Sequence, residues 1–128
     1  MNILLDTHVF LWWTLDDKRL PTRWREAFEA DENTVYLSAA TAWEIVIKQG
    51  IRRLKVAEDP VAWFRKYIDH YRLEALPITH EHALAVFNLP RKHNDPFDRV
   101  LIAQAVRESM VLATADEAIR QYEVTVLT

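Results

Sequence analysis

Asn2-Ile3-Leu4-Leu5-Asp6 decides the architecture. Three consecutive apolar residues without alternation predict a short strand buried on both faces, and the acid closing them marks where the chain leaves the apolar layer. The rest of the chain repeats that grammar. Helices are predicted at Val9–Leu15 and Leu20–Ala30, the latter with Pro21 in its first turn. Thr34–Leu37 reads as a strand, and Ser38 as the N-cap of a helix running to Gln49 and ending at Gly50. Asp59-Pro60 opens a helix reaching Tyr71, Leu73–Ile78 reads as a strand, and Thr79 caps a helix to Phe87. After a polar loop over Asn88–Asp95, Asp95 caps a helix from Pro96 to Glu108. Val111–Thr114 is a strand, Glu117–Tyr122 a short helix and Val124–Leu127 a last strand. Strands alternating with helices along the whole chain imply an α/β protein whose parallel sheet is covered by helices on both faces.

Composition narrows the chemistry. At 128 residues, half of them hydrophobic, the chain has the size of one domain with a well-filled core. The absence of cysteine excludes disulfides, thiolate metal sites and a cysteine nucleophile, and fits a reducing cytoplasmic setting. A single glycine, Gly50, leaves no glycine-rich phosphate loop of the ATPase or dinucleotide kind. The apolar stretch Val9–Trp13 is far shorter than the ~20 residues a membrane span needs, so a soluble protein is expected. The formal net charge of −3 runs against a nucleic-acid partner. Two local clusters run the other way: Lys48, Arg52, Arg53 and Lys55, then Arg91, Lys92 and His93. As a bland alternative, both are solvated turns.

Open parallel sheets bind ligands beyond the carboxyl ends of their strands. Asp6 ends the first strand, Asp116 follows the fourth by two residues, Asp98 lies in the first turn of the Pro96 helix, and Glu44 lies in the helix after the second strand. Carboxylates gathered at one edge repel each other and resist ionising together. A hard divalent cation, Mg²⁺ or Mn²⁺, relieves that conflict, lowers the pKa of its water and offsets charge on a phosphate during in-line displacement. No His pair at metal-ligand spacing on one helix points to zinc.

Each residue also has a local structural explanation. Asp6, Asp95 and Asp116 are placed as N-caps, with Asp98 favoured by the helix dipole. Glu44 and Lys48 are placed as a surface pair four residues apart, within a polar stripe of Thr41, Glu44 and Lys48. His8 either faces a phosphate beside Asp6 or packs under Trp12. The remaining histidines, His93 among them, have no carboxylate partner arguable from spacing. Trp12, Trp13, Trp24, Trp43 and Trp63 lie on predicted helices, where core or interface packing outweighs base stacking.

Four segments together resemble a known family. Asn2–His8 with Leu11-Trp12, Ser38–Lys48, Asp95-Pro96-Phe97-Asp98-Arg99 continuing to Ala103-Gln104-Ala105, and Thr114-Ala115-Asp116 with Ile119 and Tyr122 are similar, in order, to the motifs of VapC-type PIN domains, the toxins of bacterial toxin–antitoxin pairs. The resemblance spans the chain, and implies a three-layer α/β/α sandwich with a five-stranded parallel sheet in the order 3-2-1-4-5. It implies Mg²⁺- or Mn²⁺-dependent endonucleolytic cleavage of RNA, with Asp6, Glu44, Asp98 and Asp116 as the acidic site. Thr114 and His8 would support that site, Asp95 would cap its helix, and Arg99 would be a structural or substrate contact. Lys48, Arg52 and Arg53 are candidate RNA contacts, although Arg52-Arg53-Leu54 departs from the Gly-Lys-Leu that relatives often carry. A homodimer, silenced by a small cognate antitoxin whose tail occupies the active groove, completes the expectation. Two rivals share the fold: a silent module that binds only protein or RNA, and a housekeeping nuclease acting on DNA or structured nucleic acid. A haloacid-dehalogenase-like phosphatase would need an acid where His8 stands.

Overall fold

A computed structural model describes residues 1–128. Strand β1 (Asn2–Leu5) lies inside a parallel sheet of order β3-β2-β1-β4, formed with β2 (Thr34–Ser38), β3 (Glu74–Leu76) and β4 (Val111–Ala113). Ile3 is in register with Val35 on one side and Val111 on the other. Because successive strand residues face opposite ways, β1 feeds two cores. Ile3 and Leu5 join Val35, Leu37 and Ala113 on one face, while Leu4 joins Leu112 on the other. The unbroken apolar run is thus the signature of a strand covered twice.

Helices α1 (Thr7–Thr14), α2 (Thr22–Glu29) and α4 (Pro60–His70) cover the first face. Phe10 of α1 is fully buried and meets Trp63 and Phe64 of α4 edge-on at 5.8 Å, and Trp13 stacks on Tyr71 at 3.9 Å. The second face is covered by α6 (Pro96–Arg107) and α7 (Glu117–Arg120), through Leu101, Ile102, Ala105 and Ile119. Between the layers, α3 (Ala39–Gly50) puts Ala40 into one core and Ile45 into the other. A short α5 (His80–Ala85) runs into a 3₁₀ turn, Val86–Asn88. No helix is long and apolar enough to cross a membrane.

The α/β/α layering is as expected, but the sheet has four strands rather than five. Val124–Leu127 makes one parallel bridge, Leu112 to Val126, with Leu112 N–H donating to Thr125 C=O (2.8 Å) and Leu127 N–H to Leu112 C=O (2.9 Å). A turn closed by Val124 N–H on Tyr122 C=O occupies the start of the segment, leaving room for one repeat of the ladder. The predicted Leu73–Ile78 strand is likewise trimmed to Glu74–Leu76, since Pro77 has no N–H to extend the pairing. Gly50 ends α3 as expected, but the left-handed residue is Arg52 (φ 61°).

Local chemistry sets the helix starts. Asp6, Ser38, Asp59, Asp95 and Asp116 each accept a backbone N–H at the first turn of the helix that follows. Thr79 forms a capping box in which His82 takes the role usual for Glu or Gln: His82 N–H donates to Thr79 Oγ1 and Thr79 N–H to His82 Nδ1, both at 3.1 Å.

Candidate metal centre

Asp6 is fixed from both sides. Its N–H donates to Ala113 C=O at 3.1 Å, tying the end of β1 to the end of β4. Its Oδ1 accepts Val9 N–H at 2.8 Å. Only 2% of the residue is exposed, and this burial pushes its pKa up. The facing Thr114 hydroxyl, the Val9 N–H and the His8 charge pull it back down, while the Asp116 charge adds to the rise. Thr114, fully buried one residue past β4, accepts Asp116 N–H at 3.1 Å, and Asp116 Oδ1 accepts Ala118 N–H at 2.9 Å.

Asp98 joins this group from the first turn of α6. Its pKa is pushed up to about 6, first by burial and then by the charges of Asp95, Asp116 and Asp6. A hydrogen bond from His93 opposes the rise. Asp6, Asp98 and Asp116, supplied by the end of β1, the first turn of α6 and the turn after β4, therefore lie within one another's field, whereas Glu44, expected at the same edge, does not act on Asp6 or Asp98. His8 is exposed beside Asp6, rather than packed under Trp12.

Glu44 sits differently. It is 2% exposed, so its pairing with Lys48 is not the surface pair that spacing implies. Lys48 Nζ donates to Oε2, and the Thr7 hydroxyl donates to Oε1 at 2.6 Å. Thr7, next to Asp6, also meets Thr41 at 3.1 Å, so the polar stripe of α3 faces α1 rather than open water. Lys48 is thereby committed to Glu44, whereas Arg52 and Arg53 are exposed on the turn after α3.

Asp95 is the cap expected, accepting Phe97 N–H and Asp98 N–H at 2.9 and 3.1 Å. Arg99 is structural. It is 6% exposed, and its guanidinium donates to the carbonyls of Pro90, Val86 and Leu89 and to the Tyr122 hydroxyl.

Spacing concealed the roles of two histidines. His93 Nε2 meets Asp98 Oδ2 at 3.1 Å across the bend into α6. His82, 1% exposed, meets Glu108 Oε1 at 2.8 Å through Nε2. Of the tryptophans, Trp13 and Trp24 are core residues, but Trp43 is 60% exposed and rests edge-on against Phe97.

The donors are all oxygens, as Mg²⁺ and Mn²⁺ require. One oxygen each of Asp98 and Asp116 accepts no hydrogen bond from the protein, and a cation would reverse the mutual repulsion that raises Asp98. No three acidic or histidine side chains converge closely enough to hold an ion alone. That arrangement suits a cation bound through one or two carboxylates and its own water.

The sequence matches the PIN domain family over residues 3–124. The chain belongs to the PIN-domain family. It is 32% identical to ribonuclease VapC22 of Mycobacterium tuberculosis, over 94% of this chain and 92% of that protein. Its fold is similar to a chain of VapBC2 from Rickettsia felis, solved bound to a DNA fragment from its promoter (TM-score 0.75, 17% identity, 100% and 98% of the two chains). It is also similar to a chain of VapBC-1 from nontypeable Haemophilus influenzae (TM-score 0.66, 17% identity, 94% and 91%).

Proposed function

We propose that this PIN protein is a Mg²⁺- or Mn²⁺-dependent endoribonuclease, the toxin of a toxin–antitoxin pair, acting in the cytoplasm as one domain over residues 1–128. The observation that carries the reading is the meeting of Asp6, Asp98 and Asp116 in one electrostatic field beside the Thr114 hydroxyl. The likeness to a ribonuclease supports it, and the VapBC neighbours support a cognate antitoxin partner; pairing of two copies of this chain is part of the proposal.

In this reading Asp6, Asp98 and Asp116 would hold one or two divalent cations largely through water, and Glu44, whose two oxygens accept from Thr7 and Lys48, would join them only by exchanging one of those partners. When bound, such an ion lowers the pKa of water and offsets charge on the scissile phosphate. The caps at Asp6 and Asp116 keep those carboxylates from turning away. Thr114 orients Asp6 and Asp116 together. His8, exposed beside Asp6, supplies a proton to the leaving oxygen. Arg52 and Arg53 hold the RNA backbone.

The test is cleavage of a pool of structured RNAs and matched DNAs by purified protein, with Mg²⁺, with Mn²⁺ and with EDTA, beside Asp6→Asn and Asp98→Asn. Metal-dependent RNA cleavage should fall by at least ~100-fold in both folded variants. Retained activity in either would sink the assignment. The lack of a preformed three-ligand cluster favours one other reading, a PIN fold that only binds RNA or protein. A wild-type protein that neither cleaves RNA nor takes up Mn²⁺ would establish it.

A further inference from the structure

Tyr122 has one hydroxyl and three partners. Arg99 donates to it at 2.9 Å, the backbone N–H of His93 donates at 3.2 Å, and His93 Nδ1 lies 2.8 Å away. A phenol oxygen accepts two hydrogen bonds and donates one. Arg99 and the His93 N–H can only donate, so they fill the accepting positions. The phenol proton is left for Nδ1, which must therefore be bare. His93 is then neutral with its proton on Nε2, and Nε2 faces Asp98 Oδ2 at 3.1 Å. The direction of each bond follows from the next: guanidinium to phenol, phenol to imidazole, imidazole to carboxylate.

The relay is held rigidly. Tyr122 is 5% exposed in the second core, and its N–H closes on Ile119 C=O at 3.1 Å. The Arg99 guanidinium lies 6.0 Å from the Tyr122 ring centre and is fastened to the carbonyls of the 86–90 turn. His93 is grasped twice by one hydroxyl, at its main chain and at its ring. Its side chain is 17% exposed and that of Asp98 15%, so little water competes for the contact.

We infer that His93 is a positioning residue for the cation site: its Nε2–H commits Oδ2 of Asp98 and leaves Oδ1, which accepts no hydrogen bond from the protein, as the oxygen available to a divalent ion. The inference rests on the nuclease reading for the identity of that site. It goes beyond that reading by adding a neutral donor that no acidic motif contains. Partners of this kind, behind a carboxylate ligand, fix its orientation and basicity.

The test uses the whole chain as wild type, His93→Ala and His93→Gln. Mn²⁺ binding to metal-free protein is measured by calorimetry, RNA cleavage by kcat and KM, and the His93 tautomer by ¹⁵N NMR. His93→Ala should weaken Mn²⁺ binding and lower kcat by about 10–100-fold while leaving KM for RNA unchanged. His93→Gln carries an amide N–H at similar reach and should recover most of both. The NMR spectrum should show the proton on Nε2. Wild-type Mn²⁺ affinity in a folded His93→Ala protein would overturn the inference, as would a proton on Nδ1. Weakened Mn²⁺ binding in a protein that cleaves no RNA would overturn the nuclease reading and leave the inference standing.

Discussion

Asp98 is an acid held against its own charge. Its pKa of about 6 exceeds the unfolded value near 3.8, so folding tightens its hold on the proton. An acid shifted upward adds stability that is fully present below its unfolded pKa and is lost as pH rises through its folded pKa. Between pH 4 and pH 6, then, metal-free protein should lose stability on this account, with a ceiling of about 3 kcal/mol for a shift of this size. Asp98→Asn removes the loss. In EDTA at pH 7.5 it should melt several degrees higher than wild type, and the gap should narrow through pH 6 and close toward pH 4. A gap that stays constant with pH would show that the ionised carboxylate is not strained. Adding Mg²⁺ should raise the wild-type melting temperature and leave that of Asp98→Asn nearly unmoved. Asp6, Asp98 and Asp116 were legible in the sequence because each stands just after a strand or a cap, where position alone dictates location; Glu44, inside α3, was not, since its burial depends on what α1 sets against it. His93 was not, because its link to Asp98 crosses a loop and the start of a helix, and no periodicity spans that path.

Helix α6 carries more of the site than its one acid. Arg99, one residue after Asp98, points the other way and holds the carbonyls of the 86–90 turn. Gln104, fully buried farther along, accepts from Ser38 Oγ at 2.6 Å and donates to Pro77 C=O at 3.2 Å, joining α6 to the ends of β2 and β3. Removing either donor strands buried carbonyls. Arg99→Ala and Gln104→Leu should each cost about 2–4 kcal/mol in urea unfolding, Arg99→Ala the more because it also frees Tyr122. A cost below ~0.5 kcal/mol for Arg99→Ala would mean that the turn is held by packing alone. Helix starts were readable to within two residues because Asp-Pro and Ser caps act locally. Strand ends were not: Pro77 shortens β3 and the turn at Val124 reduces the last strand to one bridge, and both depend on what the neighbouring strand offers. Trp43 escaped in the same way, since its helix buries Thr41 and Glu44 and turns the tryptophan outward.

Across the molecule, charge is sorted rather than balanced. The formal charge is −3, yet Arg52 and Arg53 stand exposed with no acidic partner on the turn after α3. If they hold RNA, Arg52→Ala/Arg53→Ala should raise KM and reduce the salt dependence of binding by about one unit of log–log slope per lost phosphate contact. An unchanged salt slope would remove them from the interface. The sorted sites are drawn from far apart in the chain. β1 is made first, but one of its two neighbours, β4, begins at Val111, and the acids come from positions 6, 44, 98 and 116. Such a fold cannot close until the late segments arrive. On the ribosome, a nascent chain that has not yet released β4 holds Asp6 without the Ala113 carbonyl and the Thr114 hydroxyl that fix it. If the protein is the nuclease proposed, its site is completed only when synthesis is nearly over, and a chain broken off before Asp116 never acquires it.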